Sequence, residues 1–324
     1  MHTPSSKLPN LTVKTEEFID MIEKRGGEPL YKLTPEKARE FLVNLQKETH
    51  KEIDADIQDI QIPDIESNEI NVRIVRPKDI KDPLPAILYI HGGGWVIGDK
   101  DTFDMLIKTL AVCTKSVVVF PEYSRSPEAK YPKALKEIYT VLEYMADKSK
   151  ELNINPDKIA IAGDSAGGNM ATATVLKALK NNGPKIVFEA LFYPVTNADM
   201  DTQSYENFKD GPWLTKPAME WFFGAYLGED IKKKDDIYVS PLKADIEDLE
   251  NMPPTLIITA ENDVLRDEGE AYARKLDEAG VEVSNIRING THHDFFLLNA
   301  LYDTMPVKSA FVLACNELHN ALYN

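Results

Sequence analysis

From Pro85 onward the chain alternates short apolar runs with amphipathic segments, and this alternation constrains the fold more than any other feature. PAILYIH, SVVVFPEY, KIAIAGD, KIVFEALFYP, PPTLIITAEND and VEVSNIRING read as strands. TFDMLIKTLAVCT, YPKALKEIYTVLEYMADK, AGGNMATATVLKALKN and RDEGEAYARKLDEAG read as helices between them. Runs such as LYI, VVVF and LIIT are apolar on both faces, which suits parallel strands covered by helices above and below. The pattern predicts a doubly wound, mostly parallel α/β sheet with right-handed crossovers.

Two helical patterns come first, TEEFIDMIEKRG (15–26) and TPEKAREFLVNLQKETHKE (34–52), the second opening at a partial capping box on Thr34. DIQDIQI and NEINVRIVRP follow and predict a hairpin or meander. Between the FYP strand end and PPTLIITA the alternation stops, and this long interval carries an aromatic helix pattern, PAMEWFFGAYLG (217–228). So long an interruption in a compact fold needs its own role. With the N-terminal helices it is expected to form a lid over the carboxyl edge of the sheet.

Gly163-Asp164-Ser165-Ala166-Gly167 fits G-x-S-x-G at a strand-to-helix corner. A serine exposed on so sharp a turn brings its neighbours at minus two and plus two into contact, and glycine removes the Cβ atoms that would clash. The helix beginning after it favours negative charge developing at its N-terminus. HGGGW (91–95) closes the first parallel strand, and its amides can turn inward to hold an oxyanion, each donor worth on the order of 3–4 kcal/mol of barrier. A phosphate loop is excluded by the lack of a following Lys-Ser/Thr and of GxGxxG spacing.

A serine nucleophile needs a base, and the base an orienting acid. Of six histidines, His2 and His50 are N-terminal, His91 belongs to the glycine motif and His319 to the last helix. His292 and His293 remain, in the loop after the final strand. The acid should precede them in the chain. Asp263, at the end of PTLIIT, is favoured over Glu261, while Asp267 and Glu268 read as caps of the next helix.

Composition narrows the partners. A net charge of −16 repels nucleic acid and anionic membranes, and Lys232-Lys233-Lys234 is followed at once by Asp235-Asp236. No apolar run is long enough to span a membrane, and the opening MHTPSSKLPN lacks a leader pattern. Two cysteines, Cys113 and Cys315, exclude a disulfide framework and a four-cysteine metal site, so a reduced, cytoplasmic protein is expected. No cofactor or metal is implied, since no His/Cys/Asp cluster has ligand spacing. A homodimer is left open.

Together these motifs resemble the hormone-sensitive-lipase-like (family IV) carboxylesterases of the α/β-hydrolase fold. HGGGW, EYSRSPEAKYPKAL (122–135), GDSAGGN (163–169), YP (193–194), SPL (240–242) and TAENDVLRDEGEAYARKL (259–276) recur in that family's order over most of residues 85–300. The resemblance implies Ser165 as nucleophile, Asp263 as acid and His293, rather than His292, as base. It places the oxyanion hole at the amides of Gly93, Gly94 and Ala166. Residues 1–52 would supply N-terminal cap helices and 53–324 the catalytic domain, with a cap insertion at about 197–240. Aspartate stands at 294 where the family's His-Gly-Phe motif has glycine. Trp95, Trp213, Trp221 and Phe222 are candidates for the pocket wall, with docking of the cap as the competing role for aromatics here. The implied activity is hydrolysis of small, short-chain acyl esters. An amidase or deacetylase using the same site, or a non-catalytic ligand-binding member of the fold, stands as the alternative.

Overall fold

The computed structural model of the protein describes residues 10–63 and 69–324. His2 and most of the opening segment lie outside them. In chain order the elements are α1 (Val13–Arg25), α2 (Pro35–Lys47), β1 (Ala55–Pro63), β2 (Glu69–Pro77), β3 (Leu84–Ile90), α3 (Asp104–Thr114), β4 (Val117–Glu122), α4 (Lys133–Asp147) and α5 (Ser149–Leu152). There follow β5 (Ile154–Asp164), α6 (Ala166–Asn181), β6 (Phe188–Phe192), α7 (Gln203–Asn207), α8 (Lys216–Leu227), α9 (Ile246–Leu249), β7 (Thr255–Asn262), α10 (Arg266–Glu278), β8 (Val283–His292) and α11 (Met305–Tyr323).

The strands form one sheet in the order β1-β2-β4-β3-β5-β6-β7-β8. β2 is antiparallel to both neighbours, and every pairing from β4 to β8 is parallel. The strand period of two divides β3 between two cores. Ala86, Leu88 and Ile90 join a core shared with α4, α6 and α10, whereas Ile87 and Tyr89 join one shared with α3 and α11. Burial on both faces is why these strands read as unbroken apolar runs.

The connection from β3 leads outward to β4, while that from β5 leads to β6 on the opposite side. Adjacent strands whose connections part in this way leave a crevice at their carboxyl ends. HGGGW follows β3 and Ser165 follows β5, so the two motifs flank that crevice.

The N-terminal helices and the segment after β6 pack over this end. Thr34 caps α2 by accepting from Lys37 N, with Pro35 in the first turn. Gln46 of α2 is buried and donates to Thr102 O and Leu297 O, and its own oxygens accept from Asn299. Phe18 of α1 and Phe222, Phe223 and Tyr226 of α8 are buried. No described helix is long and apolar enough to cross a membrane.

One expectation fails here. Cys113 of α3 and Cys315 of α11 form a disulfide, so the two thiols are not reduced, and the cytoplasmic setting inferred from them loses that ground. Separated by 202 residues, the pair gives no spacing signal. Its proximity follows from α3 and α11 packing side by side on one face of the sheet.

Candidate active site

Ser165 turns the corner between β5 and α6 with φ 52° and ψ −121°, a conformation costly for any non-glycine residue. Its surroundings hold it there. Ser165 N donates to Phe192 O at 2.9 Å, and Ser165 O accepts from Val195 N at 3.1 Å. A Cβ at Gly163 would meet the carbonyl of Gly167, and one at Gly167 would strike the carbonyl of Ile90. Both glycines therefore permit the backbone approach expected from their positions.

His293 follows β8, and its Nε2 lies 2.9 Å from Ser165 Oγ. Its Nδ1 lies 2.7 Å from Oδ2 of Asp263, which follows β7. A carboxylate can only accept, so the proton between them belongs to Nδ1 and leaves Nε2 free to accept from the serine hydroxyl. Asp263 Oδ1 accepts from Leu265 N at 3.0 Å, which fixes the carboxylate from behind. Ser165, His293 and Asp263 are exposed by only 4%, 2% and 1%, so water barely screens these contacts. Burial disfavours the imidazolium, but the carboxylates of Asp263 and Asp294 outweigh it and raise the pKa of His293 above its ordinary value.

His292 closes β8 rather than standing in the loop after it, and it is buried. Its Nδ1 is 2.6 Å from His293 O, and its ring packs near Phe18 and Trp213 at centroid distances of 5.7 and 5.9 Å. Burial drives its pKa down to about 4 and keeps it neutral. Asp267 and Glu268 do not cap α10 with their side chains either. Asp267 accepts from Ser204 N, and the buried Glu268 accepts from Thr196 N and Asn197 N. They anchor the chain leaving β6.

The HGGGW loop folds against the serine corner. Among the described residues, no protein acceptor takes the amides of Gly93 and Gly94, and Ala166 N opens α6. Gly94 has φ 57°, and a Cβ there would run into the ring of Phe222. Phe222 thus lies directly on the loop, with Trp221 at 5.1 Å from it. Trp95 is fully buried and stacks on Tyr226 at 4.3 Å, so it joins the loop to α8 and does not face open space as a pocket wall would. Trp213 donates from Nε1 to Asp294 Oδ2 at 2.8 Å.

Two carboxylates went unassigned by sequence reasoning. Asp164, next to Ser165, accepts from Tyr89 OH at 2.9 Å and Gly92 N at 3.0 Å, tying the glycine loop to β5. Asp294 Oδ1 lies 3.5 Å from His293 Nε2. Asp294 has φ 65°, the left-handed region that glycine enters freely and aspartate tolerates. Among the described residues no cluster of three His, Cys, Asp or Glu could hold a metal.

Residues 87–297 match the family model described as α/β hydrolase fold. A thermostable esterase from Pseudomonas putida superposes with a TM-score of 0.95 at 41% identity, covering 98% of this chain and 99% of that one. An esterase of Gibberella moniliformis is 37% identical over 76% of this chain and 79% of its own length. A carboxylesterase, NlhH, of Mycobacterium tuberculosis is 38% identical over 66% and 67% respectively. Fold, motif order and relatives agree: the chain belongs to the hormone-sensitive-lipase-like carboxylesterase family of the α/β-hydrolase fold.

Proposed function

We propose that the protein hydrolyses small carboxylic esters through a covalent acyl-enzyme formed on Ser165. The observation that carries this reading is the unbroken line of contacts from Asp263 through His293 to Ser165, at 2.7 and 2.9 Å. His293 Nε2 takes the hydroxyl proton as Oγ attacks the ester carbonyl. The oxyanion rests on the amides of Gly93, Gly94 and Ala166. His293 then protonates the departing alcohol, and a water activated by the same nitrogen releases the acid. Asp263 holds the tautomer and stabilises the imidazolium.

The helices of residues 1–52 and the insertion at about 197–240 act as a cap over this site. Phe222 against Gly94 and Trp213 against Asp294 set bulky aromatic rings beside the glycine loop and His293, which supports a preference for short acyl chains. The activities named for the Mycobacterium and Pseudomonas relatives agree with an ester substrate.

Ser165→Ala is expected to keep the fold and lower hydrolysis of p-nitrophenyl acetate by about 10⁴-fold or more. Near-normal turnover in that variant would sink the reading. In the native enzyme, rates should fall steadily from the butyrate to the palmitate ester, and equal rates would remove the short-chain preference.

A further inference from the structure

The triad leaves one carboxylate beside the reacting nitrogen without a task. Asp294 is next to His293 in sequence, yet its side chain turns back toward the imidazole, and Oδ1 reaches to 3.5 Å from Nε2. That oxygen is buried and has no hydrogen-bond partner. The other oxygen, Oδ2, accepts the indole N–H of Trp213 at 2.8 Å. Both residues holding this contact lie at positive φ, Asp294 at 65° and Trp213 at 66°. A left-handed tryptophan is a strained arrangement that persists only where its surroundings impose it.

A buried carboxylate oxygen lacking a donor is costly. His293 Nε2, 3.5 Å away, can supply one, and only when it is protonated. In the neutral tautomer that acts as the base, Nε2 accepts from Ser165 and offers Asp294 nothing. Once Ser165 has given up its proton, Nε2–H can point between the serine oxygen and Asp294 Oδ1.

We propose that Asp294 is a second carboxylate partner of His293, a positioning residue that holds the imidazolium on its Nε2 side and ties it to the cap through Trp213. The inference rests on the triad reading above. No bond to Asp294 forms or breaks; the proton stays on Nε2 until the leaving alcohol takes it. Asp263 then restrains the ring at Nδ1 and Asp294 at Nε2.

Several groups face the imidazole. Asp263 comes from the loop after β7, Asp164 from the end of β5, and Ser165 from the start of α6. Tyr193 stands after β6 with its ring centroid 4.7 Å away, and the neutral His292 adjoins in sequence. Asp294 adds negative charge to this set, and a nearby opposite charge favours the protonated imidazole. Because the base must be neutral to act, Asp294 shifts the rise of kcat/KM toward higher pH, and its removal shifts that rise lower.

The test compares Asp294→Asn with the native enzyme in the pH dependence of kcat/KM for p-nitrophenyl acetate. Asparagine can still accept from Trp213 but carries no charge. The midpoint of the acid limb is expected to fall by about one pH unit. The rate of fluorophosphonate attachment at Ser165 should show the same displacement without depending on turnover. A profile superimposable on the native one overturns the proposal, even if the variant melts lower, since a merely structural role would move stability and leave the midpoint in place. If Asp294→Asn does not fold, Asp294→Gly, which suits the backbone conformation, takes its place with the same two outcomes. Ser165→Ala run alongside separates the two levels: activity persisting there overturns the triad and this inference together, whereas a dead Ser165→Ala with an unmoved Asp294 midpoint overturns this inference alone.

Discussion

Asp164 stands between Ser165 and the glycine loop, and its role could not be read from its neighbours in sequence. One of its oxygens takes both Tyr89 OH and Gly92 N, groups that lie on and just after β3. Burial, with the charge of Asp294 adding to it, pushes this carboxyl up to about 7. Asp164→Ala would strand a buried hydroxyl and a buried amide at once, each costing about 1–3 kcal/mol. We expect that variant to lose about 3 kcal/mol in denaturant unfolding and Asp164→Asn, which keeps an acceptor, to lose less than about 1. Equal stability of the alanine variant and the native protein would contradict the anchoring role. The residues of the proposed triad could be picked out in the sequence for the opposite reason. A nucleophile, an acid and a base of fixed type and chain order leave few candidates when the chain has six histidines. Asp164, Asp294 and Glu268 depend on partners that only the folded chain brings close, and a solvated or capping carboxylate looks the same in sequence.

At the scale of elements, the strands and long helices followed their periodicities closely, because two-sided burial writes β3, β4 and β7 as apolar runs. The short helices α7 and α9 span only Gln203–Asn207 and Ile246–Leu249, too little chain to display a helical period. How α2 is fastened was also hidden. Arg39 donates from Nε to Val96 O at 2.9 Å, from Nη2 to Ser126 O at 3.0 Å, and by both terminal nitrogens to Glu128. This fork locks the N-terminal helices to the loop carrying the glycines, and a lysine cannot reproduce its geometry. Arg39→Lys should cost about 1.5–3 kcal/mol, the worth of hydrogen bonds to a charged group, and should speed proteolytic cleavage between α1 and β1. Cleavage no faster than in the native protein would show that α2 is held without the Arg39 fork, by the hydrogen bonds of Gln46 and by apolar contacts.

For the molecule as a whole, the order of the strands does the positioning. The crevice between the carboxyl ends of β3 and β5 receives the glycine loop from one side and Ser165 from the other, while β7 and β8 deliver Asp263 and His293. Architecture and motif order were legible because the motifs stand at the carboxyl ends of β3, β5, β7 and β8. The disulfide between Cys113 and Cys315 was not, since pairing across 202 residues depends on which helices share a face of the sheet. The central claim is that this assembly presents one serine as a nucleophile. Mass mapping of the intact protein after treatment with a fluorophosphonate tests it most directly. The account predicts a single adduct, on Ser165, formed in step with loss of esterase activity and absent from His293→Ala over the same interval. An inactivated protein modified elsewhere, or an active one with Ser165 fully labelled, would contradict it.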